Sequence, residues 1–275
     1  MSDPRRITHP GPPAAVRFCA VPCRATPQKA TFRAGASLLE AMVEAGGADA
    51  AWFDLSGVTV RHLAFVRPAP APGDGHAAWY SATTTLEDAR IIRAGAHLGR
   101  RNGLPFAHVH GIWSDKAGQM HMGHLLSDVT IIGQTVDVDV QVLDGARMES
   151  ADDPETGFCL FRPVSTGMIT TPNAVLATAR PNQTIEPAIA NIARDAGIAS
   201  ATIKGIGSLV RTEFSDRDGI ESYATEVLLT AGHLSISGVD LTAASVGFDG
   251  RYADGQLARG KNTICVTFEL LLNYN

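Results

Sequence analysis

Phe106-Ala107-His108-Val109-His110-Gly111-Ile112-Trp113 reads as a β-strand. A polar stretch, Ser114-Asp115-Lys116-Ala117-Gly118, follows, and then Gly123-His124-Leu125. Aromatic and β-branched residues favour extended backbone, and the Asp-Lys-Ala-Gly run is turn chemistry. On a strand, side chains at i and i+2 share a face, so His108 and His110 project together. Folding the chain back symmetrically about Asp115-Lys116-Ala117 sets His124 opposite His108, with Cβ atoms about 5 Å apart. Three imidazoles then converge and leave a fourth position open, which is the ligand set of an open zinc site. His121 has the other parity and is expected on the far face. A β-bulge in the second strand would exchange it with His124. The bland alternative is three polar residues on a half-exposed hairpin. Imidazole suits zinc, nickel and iron alike, so local spacing leaves the metal open.

The same hairpin recurs downstream at a constant offset. His108-Val109-His110-Gly111 falls on Asp240-Leu241-Thr242-Ala243, Gly118 on Gly250, and Gly123-His124-Leu125 on Gly255-Gln256-Leu257. Upstream the two halves also run in parallel. Val16 to Ala25 and Ala174 to Ala179 read as opening strands. Ser37 and Thr184 are N-cap residues for short helices carrying Leu38, Leu39, Met42 and Val43, and Ile185, Ile189 and Ile192. Strand-and-glycine segments follow at Ala51 to Gly57 and Ala201 to Gly207. Further strands, Ala89 to Ala94 and Glu226 to Ala231, lead into Gly95 and Gly232. One helix followed by short strands predicts an α+β unit with a mainly antiparallel sheet, present twice. The expected organisation is a Pro-rich N-terminal tail over 1–15, a first domain over 16–145, a connection over 146–166 and a second domain over 167–275. A repeat of this length points to duplication, not to a solenoid.

The chain has 275 residues, 45% hydrophobic and 19% charged, which is globular composition. Net charge is −5 and lysine occurs only at positions 29, 116, 204 and 261, which disfavours nucleic-acid binding. The four cysteines, Cys19, Cys23, Cys159 and Cys265, do not form a paired zinc motif. Cys159 and Cys265 sit in apolar runs that suit buried thiols. With no apolar signal core or spanning stretch, the expectation is a soluble cytoplasmic protein with no membrane partner.

The order of strand, short helix, Gly-Ile-Gly-Ser-Leu (Gly205 to Leu209), Glu-containing strand (Glu226 to Gly232), His-x-His and Gly-His-Leu resembles the plants-and-prokaryotes conserved (PPC) domain, a family of unknown function often given a DNA-binding label. The resemblance covers about residues 16–145 and 167–275. It implies two tandem PPC-like domains, each an antiparallel sheet with a packed short helix. It also implies trimeric assembly, hence a homotrimer, and a zinc ion held by His108, His110 and His124. Each copy departs from the pattern. The first replaces the glycine-rich segment with Asp54-Leu55-Ser56-Gly57-Val58 and carries an insertion around Pro68 to Gly75; the second lacks all three histidines. The DNA-binding label belongs to basic Arg-Gly-Arg-Pro segments of plant relatives, and no such core occurs here.

On the second copy the same fold-back pairs Asp240 with Gln256 and Thr242 with Asp254, a weak oxygen-ligand set better read as a polar sheet face. His97 and His233 occupy corresponding positions and read as structural. Gly205-Ile206-Gly207 lacks the helix and third glycine of a dinucleotide site, and Ser114 and Asp115 sit at the hairpin tip, unsuited to a Ser-His-Asp triad. Besides a DNA-associated regulator, the weakest reading on charge, two functions follow. In one, the histidine-bearing copy binds metal and the second copy serves packing and assembly. In the other, the metal activates water or polarises a carbonyl of a small molecule at its open position. Local sequence fixes no carboxylate beside the histidines, so the reaction type stays open.

Overall fold

A computed structural model describes residues 5–47 and 50–274. The first half comprises β1 (Phe18–Phe32), α1 (Leu38–Gly46), β2 (Ala51–Leu55), β3 (Thr59–Val66), β4 (Pro68–Ala69) and β5 (Trp79–Tyr80). It continues through β6 (Thr84–Arg101), β7 (Leu104–Ser114), β8 (Met120–Leu125), β9 (Ile131–Ile132) and β10 (Val136–Asp144). A hairpin, β11 (Ala146–Asp152) and β12 (Cys159–Ser165), leads into the second half. That half holds β13 (Ala174–Ala179), α2 (Ile185–Asp195), β14 (Ala201–Val210), β15 (Thr225–Ser235), β16 (Gly238–Val246), β17 (Tyr252–Gln256) and β18 (Thr263–Asn273). The architecture is α+β and mainly antiparallel. Among the described residues no helix is long and apolar enough to cross a membrane.

The two halves repeat one strand order. One half runs β1-β10-β2-β6-β7-β8 and the other β13-β18-β14-β15-β16-β17, joined where β1 pairs with β13. Residues 18–23 of β1 pair with β13 and residues 24–32 pair with β10, so one long strand belongs to both halves. Each sheet carries its helix on one face. Ser37 caps α1 with a full capping box, its Oγ accepting from the Glu40 amide while Glu40 accepts from the Ser37 amide. Thr184 holds the equivalent place on α2, but its side chain makes no capping bond.

The opposite faces pack against each other. Trp52, Ile112 and Met122 from the first half meet Ile206, Leu228 and Leu271 from the second in one buried cluster. Full burial of a side chain such as Leu228 or Leu271 contributes about 1.5–3 kcal/mol. Gly95 and Gly232 do not end their strands, because β6 and β15 run straight through them. A Cβ on Gly95 would lie 2.6 Å from Trp52 and 2.9 Å from Leu228, so the absent side chain lets the halves close.

Segment 146–166, expected as the connection between the two domains, holds the β11–β12 hairpin. Strand β11 pairs in parallel with β6, and the acidic residues Asp153 and Glu155 anchor the hairpin. Asp153 binds Arg162 and Arg180, and Glu155 binds Arg17 and Arg180. Residues 5–15 are likewise held: Ile7 is buried and donates its amide to Asn182, and Gly11 bonds the Glu155 carbonyl. The apolar strand β18 is central, paired with β13 on one edge and β14 on the other, so its edges draw on no partner chain.

Candidate metal centre

Strand β7 alternates as its sequence demands. Ala107 and Val109 enter the core under α1, while His108, His110 and Ile112 face the second half. The hairpin closes differently from the symmetric fold-back. His124 pairs with His110, not His108, and His121 pairs with Trp113. The loop runs from Asp115 to Gln119. The Asp115 carboxylate accepts from the Ala117 and Gln119 amides, and Gly118 takes φ +83°. That arrangement lengthens the turn, and the slip is even, so strand parity survives. His121 accordingly lies apart, bonded to Asp115 at 3.2 Å.

The three predicted ligands do converge. One nitrogen from each of His108, His110 and His124 lies within 4.8 Å of the others. Ring centroids are 4.6 Å apart for His108 and His110, and 4.8 Å for His108 and His124. Tetrahedral zinc–imidazole bonds of about 2.0–2.1 Å separate ligand nitrogens by roughly 3.3 Å, which this spacing accommodates.

Hydrogen bonding fixes which nitrogens are free. The His110 Nδ1–H donates to the Val227 carbonyl at 2.9 Å, and the His108 Nδ1–H donates to Glu269 Oε1 at 2.7 Å. A carbonyl and a carboxylate only accept, so neutral imidazoles present bare Nε2 lone pairs. Those two Nε2 atoms stand 3.0 Å apart. Two lone pairs at that distance repel unless a cation lies between them, either a proton or a metal ion. Burial pushes His110 and His124 well below the usual imidazole range, with the neighbouring imidazoles adding to the effect. They are therefore neutral at pH 7, the form a metal requires. His97, opposite His108 on β6, is also held neutral, its pKa pulled by burial to about 4, and it packs edge-on against Trp52 at 4.7 Å.

The centre opens into a cleft of about 560 Å3. The insertion after β3 forms the small β4–β5 ribbon at its mouth and places the Tyr80 ring 5.4 Å from His124. Phe106 and Phe161 pack edge to face at 5.5 Å, and Trp79 stacks on Phe158 at 5.6 Å. These walls make the cleft aromatic.

No family model and no curated protein matches this chain. Solved structures do. A metal-containing protein from Archaeoglobus fulgidus is 20% identical with TM-score 0.41, over 51% of this chain and 96% of that one. A PPC protein from Pyrococcus horikoshii is 17% identical with TM-score 0.38, over 52% and 96%. A hypothetical protein from Salmonella enterica is 19% identical with TM-score 0.39, over 53% and 97%. The likeness is to PPC-type folds. It spans about half of this chain.

Sequence reasoning missed two residues at the centre. Glu226 and Glu269 lie on β15 and β18 of the second half, 5% and 1% exposed, and both line the cleft. Parity places them there, because Leu228 and Leu271, each two positions on, face the first half. The available signal was a single carboxylate inside each apolar run, Thr225-Glu226-Val227-Leu228 and Phe268-Glu269-Leu270-Leu271. A charge at such a position is expensive to bury without a purpose. The second copy's own equivalents form no site. Thr242 pairs with Gln256, Asp240 binds Arg259, and His233 is exposed. Thr242–Gln256 repeats the His110–His124 register, so the hairpins match in backbone and differ in chemistry. Among the described residues the histidine trio is the one metal-ligand cluster.

Proposed function

We propose that this protein binds a divalent metal ion, zinc, through His108, His110 and His124, with an open position facing a cleft sized for a small molecule. The observation that carries this reading is the 3.0 Å approach of two Nε2 atoms whose Nδ1 partners are already committed to acceptors. Groups that fix the tautomer and orientation of ligating histidines accompany metal centres as a rule. Here both come from the second half, Val227 by its carbonyl and Glu269 by its carboxylate. In this reading the second copy, expected to serve packing and assembly, holds the ligands of the first. Zinc fits the open three-nitrogen set best, and a metal there supplies Lewis acidity toward whatever occupies the fourth position. The name of the Archaeoglobus neighbour as metal-containing accords with this reading.

Elemental analysis of dialysed full-length protein tests it. One zinc per chain is expected in the wild type, with loss of stoichiometric metal in His110→Ala and His124→Ala. A folded wild type that takes up no zinc, nickel or iron after incubation with each would refute it.

A further inference from the structure

We propose that Glu226 is the proton shuttle of a hydrolytic reaction at the three-histidine centre, acting on small esters or amides that carry a flat aromatic group. The proposal rests on the metal-binding reading above and adds to it a reaction class, a substrate class and a catalytic residue.

Glu226 is buried on β15, lines the cleft with the three histidines, and its Oε2 is enclosed without a hydrogen-bond partner. It stands within electrostatic reach of Tyr80, whose ring lies against His124. A buried carboxyl oxygen left unpaired costs free energy that an apolar side chain would avoid. Burial raises the carboxyl to about 8 in the metal-free protein, and a cation held by the three histidines would draw it back toward the carboxylate, the form that accepts a proton. A metal held there would supply Lewis acidity toward the carbonyl oxygen.

The step balances without an oxidant or reductant. The Glu226 carboxylate takes a proton from water as the water oxygen bonds the carbonyl carbon and the carbonyl electron pair moves to its oxygen. The carbonyl then re-forms and the carbon–oxygen or carbon–nitrogen bond breaks. The departing atom keeps the electron pair and takes the proton from Glu226. One water is consumed, giving a carboxylic acid and an alcohol or amine. Trp79, Phe106, Phe158 and Phe161 supply flat walls that suit an aromatic substituent on either side of the carbonyl.

The test uses zinc-loaded full-length protein, 4-nitrophenyl acetate as substrate and acetohydroxamic acid as a binding probe. Glu226→Gln is expected to keep its zinc by elemental analysis while kcat falls about 100-fold or more and KM changes little. It is also expected to bind acetohydroxamic acid about 10- to 100-fold more weakly by calorimetry, having lost a charged acceptor for the hydroxamate proton. Glu226→Asp should retain part of both properties. Equal turnover and equal hydroxamate affinity in Glu226→Gln would overturn the shuttle, as would loss of zinc from that variant, which would make Glu226 a support of the metal. Zinc-loaded wild type no faster than His110→Ala would overturn the hydrolytic reading alone. A wild type that binds no metal would overturn both readings.

Discussion

Glu269→Gln separates a centre built by both halves from one built by the first half alone. The substitution keeps the side-chain shape and an oxygen for the His108 Nδ1–H, and removes one charge from a bond of 2.7 Å whose carboxylate is 2% exposed. Hydrogen bonds to charged groups contribute about 1.5–3 kcal/mol and neutral ones about 0.5–1.5. The difference, about 1–1.5 kcal/mol, corresponds to roughly tenfold weaker zinc binding, at the lower end of the 10–100-fold typical of groups that orient ligands. In the metal-free protein the change is neutral or mildly stabilising, because Glu269 Oε2 is buried without a partner and its desolvation is relieved. At a fixed excess of zinc, tenfold weaker binding removes about 1.4 kcal/mol of ligand stabilisation. For a chain of this size that narrows the melting gap between zinc-bound and zinc-free protein by about 3–5 °C. Competition against a chromogenic zinc chelator measures the affinity, and thermal melts with and without zinc measure the gap. Wild-type affinity in Glu269→Gln would refute the argument. So would a zinc-free variant that melts several degrees lower with an unchanged gap, since Glu269 would then be a packing residue.

Three further outcomes are expected. His121→Ala keeps stoichiometric zinc by elemental analysis, because its imidazole bonds Asp115 away from the cluster. Metal-free protein loses stability as pH falls from about 6.5 to about 4. His97 is held neutral in the fold at about 4 while the unfolded imidazole charges near 6.5, so the unfolded state takes up more protons in this window. The loss from His97 is about 3 kcal/mol, and urea titrations of His97→Gln should show a flatter pH dependence than wild type. Gly95→Ala drives a methyl group into Trp52 and Leu228 at the seam between the halves and destabilises by about 1–3 kcal/mol, measured by the urea midpoint.

Local physics made much of this protein legible from its sequence. Strand parity put His108, His110 and His124 on one face and His121 on the other, and it did so even though the hairpin closed around the Asp115–Gln119 loop and changed which histidines pair. The capping box at Ser37 and the spacing of Ile185, Ile189 and Ile192 marked both helices, because such signals act within a few residues. The offset match between the hairpins announced a repeated hairpin, and the registers at His110–His124 and Thr242–Gln256 coincide at that offset.

What the sequence could not fix was how the two copies meet. That depended on β1 serving both sheets, on the missing side chain at Gly95, and on the burial of Trp52, Leu228 and Leu271 between them. Contacts between residues so far apart in the chain follow from the sum of many packing terms, with no local pattern to announce them. Only that packing brought Val227 and Glu269 onto the histidines and enclosed Glu226 in the same cleft. The three histidines are written in one hairpin, while their orientation and the carboxylates facing them come from the half of the chain that lacks histidines at those positions.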